Sequence, residues 1–295
     1  MAITHVDHVL IAVEDLDRAA EQYEKLGFYV TEEGSHPGLG TANRLVVLDN
    51  GYLELIAVRD RAQAWPELVE HLERYGPGLF TFALASDHLE ADVAAFKSRF
   101  TSGITSLTTG EIRQGVTESR GGQRRSWRNA LVYGGAAWNP FLIQHDSAAG
   151  ELRSRLLNGR ASEPHPLGYG KISHLEVVFA SLDEGEAYFR DSYGLQRAGE
   201  QSVCPSRQGD RVFVPLSAGQ LEGIAPNSPE SPLHDFVKER GYGLRGVVLT
   251  VPDTDAAAAA LRDRGIRFTR SKISGAIWVD PADAAGARLI LAKGA

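Results

Sequence analysis

Two histidine–glutamate pairs recur along the chain. His8 opens the apolar run His8-Val9-Leu10-Ile11-Ala12-Val13, and Glu54 lies inside Tyr52-Leu53-Glu54-Leu55-Ile56. His174 opens His174-Leu175-Glu176-Val177-Val178-Phe179, and Glu222 lies inside Gln220-Leu221-Glu222-Gly223-Ile224. Alternate side chains of a strand share a face, so His8, Leu10 and Ala12 point one way and Val9, Ile11 and Val13 the other. Leu53 and Leu55 take the packed face beside Glu54, which leaves His8 and Glu54 projecting into one concave space. A carboxylate among apolar neighbours needs a partner, or its pKa rises sharply. A histidine, or a metal ion held together with a histidine, is such a partner. Residues of these types offer Lewis-acid chemistry on a bound metal or proton transfer by Glu54.

The elements that position these pairs form a repeat. Apolar β-rich runs begin at His8, Thr81, His174 and Gly246, and each is followed by a polar break and a helical stretch. Asp15, Ser181 and Asp253 fall at the same offset, where a side-chain oxygen caps a helix. The second copy has His88 there, with Asp87 just before it. The helices end at Gly27, Gly194 and Gly265, which suit a left-handed stop; the second copy departs, with Arg99-Phe100 and then Gly103. Further strands follow, predicted over 28–33, 42–48 and 52–58 in the first unit and 196–203, 211–216 and 220–225 in the third. One such unit cannot bury both sides of its sheet. The expected architecture is therefore α+β: four βαβββ units paired into two domains, each with a curved, mostly antiparallel sheet forming a concave cup. The weak join is Ser147–Gly170, rich in proline and glycine, with a short helix expected at Arg153–Leu157. The predicted domains are 1–150 and 166–295.

Composition narrows the partners. The 295 residues are 43% hydrophobic and 23% charged, with a net charge of −7, which argues against nucleic acid as a partner. Cys204 is the single cysteine, so neither an intrachain disulfide nor a cysteine-rich zinc site is possible. A cytoplasmic protein with no membrane span and no secretory signal is expected.

The first unit contains Asp7-His8-Val9, His36-Pro37-Gly38-Leu39-Gly40-Thr41-Ala42-Asn43-Arg44 and Tyr52-Leu53-Glu54-Leu55. The second contains Trp127-Arg128-Asn129-Ala130-Leu131 and Asn139-Pro140-Phe141-Leu142-Ile143-Gln144. These motifs resemble a glyoxalase-like branch of the vicinal oxygen chelate superfamily, which includes glyoxalase I, extradiol dioxygenases and bleomycin-resistance proteins. The resemblance implies a divalent metal (Zn, Ni, Mn or Fe) held by first and last strands of paired units. Carried over, it places His8 and Glu54 as ligands, with Thr81 at the third position and Ile143, Gln144 or His145 at the fourth. In the second domain it offers His174 and Glu222, then Gly246 and the apolar Leu289-Ile290-Leu291. The two-histidine, one-glutamate set of ring-cleaving dioxygenases is absent there.

Three arrangements stay open. His36, Gln144 or His145 completes a site in the first domain; units one and three pair and bring His8, Glu54, His174 and Glu222 together; or no metal is bound and each histidine bonds its glutamate or a ligand. His36, Asn43, Arg44, Trp127, Asn129 and Gln144 are the candidate substrate-binding residues, with Arg113 and Arg128 as further cations for an acidic group. The arginine-rich stretch 120–125 reads as a solvated hairpin tip, and Cys204 as an inert thiol in a loop. His5, His71, His88, His165 and His234 read as surface or capping residues. The implied activity is that of a metal-dependent lyase or isomerase, with Glu54 catalytic, acting on a small oxygen-rich substrate. The alternative is a non-catalytic small-molecule binder, and a homodimer is a further expectation.

Overall fold

The computed structural model describes residues 3–119, 124–135, 138–146 and 164–294. The short helix expected at Arg153–Leu157 and the tip of the arginine-rich hairpin lie outside the described residues.

The first unit runs β1 (Ile3–Ala12), α1 (Leu16–Lys25), β2 (Gly34–His36), β3 (Thr41–Val47) and β4 (Tyr52–Val58). Helix α2 (Pro66–Tyr75) leads to the second unit: β5 (Gly78–Ser86), α3 (Leu89–Thr101), β6 (Thr108–Thr109), β7 (Arg113–Ser119), β8 (Arg124–Ala130), β9 (Val132–Tyr133) and β10 (Phe141–His145). The third is β11 (Ile172–Val178), α4 (Leu182–Ala187, continued by a π-helical turn to Ser192), β12 (Ala198–Cys204), β13 (Gly209–Pro215) and β14 (Gln220–Pro226). Helix α5 (Leu233–Arg240) leads to the fourth: β15 (Gly243–Val251), α6 (Thr254–Asp263), β16 (Phe268–Arg270), β17 (Ile277–Val279) and β18 (Leu289–Lys293).

Consecutive units pair. β1 lies antiparallel to β5, and β11 antiparallel to β15. His8 and His174 therefore stand in different sheets, which rules out a shared two-histidine, two-glutamate site. The first sheet closes into an eight-stranded barrel, sealed where Gly34 and Ser35 of β2 face Ser119 and Glu118 of β7. The second remains an open eight-stranded sheet with β12 and β16 at its edges.

Helix starts follow the sequence. The Asp15 carboxylate accepts from the backbone N–H of Asp17 and Arg18, Ser181 from Glu184, and Asp253 from Asp255 and Ala256. At the second copy His88 makes no side-chain cap; Ser86 Oγ instead accepts from the His88 N–H and bonds Asp92. The stop glycines Gly27, Gly194 and Gly265 have φ of 90°, 65° and 65°, a region open to glycine at little cost. One strand was misplaced. Residues 28–33 form no strand and meet β3 at Thr31, whose N–H donates to Leu45 O and whose hydroxyl accepts from the Leu45 N–H. The strand is Gly34–His36, which places His36 in the sheet.

Val9, Ile11, Leu53 and Leu55 pack under the helices in a core that continues into Leu175, Val177, Val247 and Leu249. A second cluster, Leu10, Ala12, Leu68, Phe80 and Phe141, fills the α2 end of the first cup. The halves are joined by buried polar contacts, including Tyr23 Oη to Ala284 O at 3.3 Å and Tyr193 Oη to Pro140 O at 3.0 Å. His165 is buried, receiving the Tyr29 N–H on Nδ1 and bonding Val47 O through Nε2 at 2.8 Å. His71 is buried too. Both correct the expectation of surface histidines; each belongs to a seam between elements that sequence spacing does not reveal.

Candidate functional site

Strands β1, β3 and β4 bring His8, Asn43 and Glu54 together. His8 Nε2 lies 3.3 Å from Glu54 Oε2, and Asn43 Nδ2 donates to Glu54 Oε1 at 2.7 Å. From β2, His36 Nε2 is 3.1 Å from Asn43 Nδ2 and 3.7 Å from Glu54 Oε1, while its Nδ1 bonds Thr41 Oγ1 at 2.8 Å. All four side chains are buried. Tyr52 stacks on the His8 ring with centroids 4.5 Å apart, and Trp127 meets His36 edge-on at 5.8 Å.

Asp7 went unnoticed in the sequence. It is buried, accepts from His8 Nδ1 at 2.6 Å and lies 3.1 Å from His145 Nε2. Strand parity assigns Asp7 to the face opposite His8. An irregularity in the β1–β5 register between Val6 and His8 breaks that parity. The available signal was a carboxylate directly preceding a histidine in an apolar strand.

The electrostatics are those of a proton held between two carboxylates. Burial works against charge on His8, but hydrogen bonds to Asp7 and Glu54 outweigh it and push the imidazole up to about 9. Burial would raise Glu54; its bond to His8, the His8 charge and the Asn43 hydrogen bond bring it down to about 2. Asp7, opposed by burial but contacted by His145 and His8, falls below the usual carboxylate range. Burial outweighs the attraction of Glu54 and, with smaller contributions from the Arg125 and His8 charges, keeps His36 low and neutral.

Other candidates face elsewhere. Arg44 is on the helix side of β3, bonded to Asp17 Oδ1 at 2.5 Å and Thr31 O at 3.2 Å. Arg128 pairs with Glu90 and with Gln144 Oε1, and Gln144 Nε2 bonds Asp87 O. Asn129 is half-buried on β8, paired with Ile143 of β10 and Arg113 of β7. In the second sheet His174 Nε2 lies 3.3 Å from Glu222 Oε2, while Arg211 Nη1 takes Glu222 Oε1 at 3.3 Å. Cys204 ends β12, buried, 3.5 Å from Ser206 Oγ.

The register tests the fit of a metal. With Val9 opposite Phe82, His8 is related by the pseudo-twofold to Thr81, and Leu10 to Ala83. Glu54 faces Leu10 and Phe141 faces Ala83, so Glu54 is related to Phe141. The fourth position is thus Phe141, not Ile143, Gln144 or His145. Thr81 Oγ1 is turned to the carbonyls of Trp138 and Asn139. In the second sheet the same construction gives His174, Glu222, Gly246 and Ile290. Among the described residues no group of three or more His, Cys, Asp or Glu side chains is placed to hold a metal ion. Two ligands fall short of the three that catalytic sites use, so the residues do not fit a resident metal with a full protein ligand set.

No helix among the described residues is long and apolar enough to cross a membrane. Over its full length the structure resembles a variant of 4-hydroxymandelate synthase from Streptomyces coelicolor (TM-score 0.67, 16% identity, covering 100% of this chain and 95% of that one). It also resembles a hypothetical protein from Staphylococcus aureus (TM-score 0.63, 14% identity, covering 97% and 98%). At these identities the likeness is one of fold. In sequence, 124 residues are 26% identical to the mitochondrial methylmalonyl-CoA epimerase of Bos taurus, covering 40% of this chain and 70% of that one. Residues 173–278 match the glyoxalase/bleomycin resistance protein/dioxygenase superfamily. Residues 6–190, more than half of the chain, match the glyoxalase-like domain, and the chain belongs to that family.

Proposed function

We propose that the first half, taken as a domain over about residues 1–150, is an enzyme of the isomerase or lyase kind that moves a proton on a small oxygen-rich molecule. The observation that carries this reading is the buried His8–Glu54 contact with Asp7 behind His8. A cationic His8 presents an acidic N–H to a carbonyl oxygen, and ionised Glu54 is the base for an adjacent C–H. Opening the 3.3 Å contact places substrate between acid and base. Asp7 orients the imidazole and holds its charge, as a carboxylate does behind a catalytic histidine. Asn43 and neutral His36 fix Glu54, and Trp127 walls the cup. The name of the epimerase relative agrees with this class, since an epimerase inverts a stereocentre and proton removal and return is one route to that.

A divalent metal would find only His8 and Glu54 as side-chain ligands, and no step above runs through one. The second reading is a non-catalytic binder in the cytoplasm. It is favoured for the half starting near residue 166, where Arg211 occupies the glutamate. The test is a panel of small carbonyl acids and thioesters incubated with protein in D2O, followed by NMR, with metal content measured on the same sample. Exchange at a carbon next to a carbonyl, lost in His8→Ala and Glu54→Gln, is the expected result. Absence of exchange across the panel, with ligand-induced stabilisation only, favours the binder. Stoichiometric metal lost in both variants restores the metal-dependent form.

A further inference from the structure

A cavity of about 1240 Å3 lies between the halves, lined by residues of both. It shares no lining residue with the His8–Glu54 cluster. Its walls are aromatic: Trp65, Phe80, Trp138, Phe179 and Tyr188 all line it. Three arginines cluster on the lining. Arg240, Arg245 and Arg288 line it together, and the Arg288 charge works against the charge on both Arg240 and Arg245. Of the three, only Arg245 has a close carboxylate, Glu176 Oε2 at 2.5 Å. Arg240 bonds the Pro77 carbonyl at 3.3 Å, and Arg288 has Glu239 no nearer than 3.9 Å. Six carboxylates also line the cavity: Asp191 and Asp280 pair with Arg190 and Arg267, Glu239 lies near Arg288, and Glu67, Glu70 and Glu184 complete the set.

Two buried polar atoms of the lining residues have no partner among the described residues, His71 Nε2 and Arg245 Nε. Both residues are more than nine-tenths buried, with 8% and 9% of their surface exposed. Leaving such groups unpaired is costly, and the like charges of three neighbouring guanidinium groups add to that cost. A ligand that brings oxygens to the arginine cluster and a ring to the walls offsets both. The volume exceeds the usual small-molecule pocket.

We propose that this cavity binds an organic anion with an aromatic or extended apolar body, its oxyanion taken by Arg240, Arg245 and Arg288 and its body packed between Trp65, Phe80 and Trp138. The site is independent of the cup chemistry. The probe is 1-anilinonaphthalene-8-sulfonate, titrated by fluorescence against the full chain, with uncharged N-phenyl-1-naphthylamine as control. The expected result is saturation at one site per chain, with the uncharged analogue bound at least tenfold more weakly. An Arg240→Gln, Arg288→Gln double variant should weaken the sulfonate at least tenfold and leave the uncharged analogue unchanged. Arg288→Gln alone, on a half-exposed side chain, repeats the test where the double variant melts early. His8→Ala should bind as wild type, which separates this site from the proposed activity. Equal affinity for both probes, unsaturable binding, or an unchanged Kd in the arginine variants would overturn the proposal.

Discussion

The two sheets hold the same histidine–glutamate contact at the same 3.3 Å, on equivalent strands, and surround it differently. In the first, Asp7 stands behind His8, and an uncharged amide holds the far oxygen of Glu54. In the second, Ser173 takes that place behind His174, and Arg211 holds the far oxygen of Glu222. One layer deeper, Leu10 sits in an apolar plug in the first cup. Its counterpart Glu176 is clamped by Arg207 Nη2 at 2.6 Å and Arg245 Nη1 at 2.5 Å, with Arg207 lying 4.2 Å over Trp278. Duplication kept the geometry of the pair and changed its electrostatics. A glutamate whose far oxygen is held by a guanidinium is less free to meet a substrate than one held by an amide and by a histidine that a ligand can displace.

The largest expected contrast is in activity. Glu54→Gln should lower the exchange rate by roughly 10²–10⁴-fold, the usual contribution of a general base, while Glu222→Gln leaves it at the wild-type rate. Equal losses in both variants would break the comparison. Next is stability. Glu176→Gln leaves two buried guanidinium groups without their carboxylate and should cost about 3–5 kcal/mol in denaturant unfolding. Replacing Glu176, Arg207 and Arg245 together by Leu, Met and Met should come close to neutral, recreating the plug of the first cup.

The pH dependence belongs to the first cup. His8 is raised from 6.5 to about 9, so its contribution is full below 6.5 and fades as pH rises through 9. Glu54 is lowered from 4.5 to about 2, so its contribution is full above 4.5 and fades as pH falls towards 2. Asp7→Asn should move the alkaline loss of stability to lower pH, read from thermal melts across the range, whereas Ser173→Ala should leave it in place. The smallest effects are at the caps. Asp15→Ala and Asp253→Ala should each cost about 0.5–2 kcal/mol, and His88→Ala much less, since it bonds no helix N–H.

The repeat, the sequential units and the cupped sheets were legible because strand parity, cap residues and stop glycines act locally. His8 and Glu54 could be placed in one space for the same reason. Asp7 was hidden by an irregularity in register, which reverses parity without any local mark. Phe141 could be told from Gln144 only once the β5–β10 register was known. Closure of the first sheet depends on β2, a three-residue strand too short for any period to show. The cavity between the halves has no signature in the chain, because its walls come from two separate stretches, 65–139 and 179–288.

The measurement that bears most directly on the account is the ¹⁵N NMR titration of the His8 ring, assigned by comparison with His8→Ala. Both ring nitrogens should be protonated at neutral pH, with release near 9 in wild type and earlier in Asp7→Asn. A neutral His8 ring at pH 7, or one nitrogen bound to a metal and silent to pH, would contradict it.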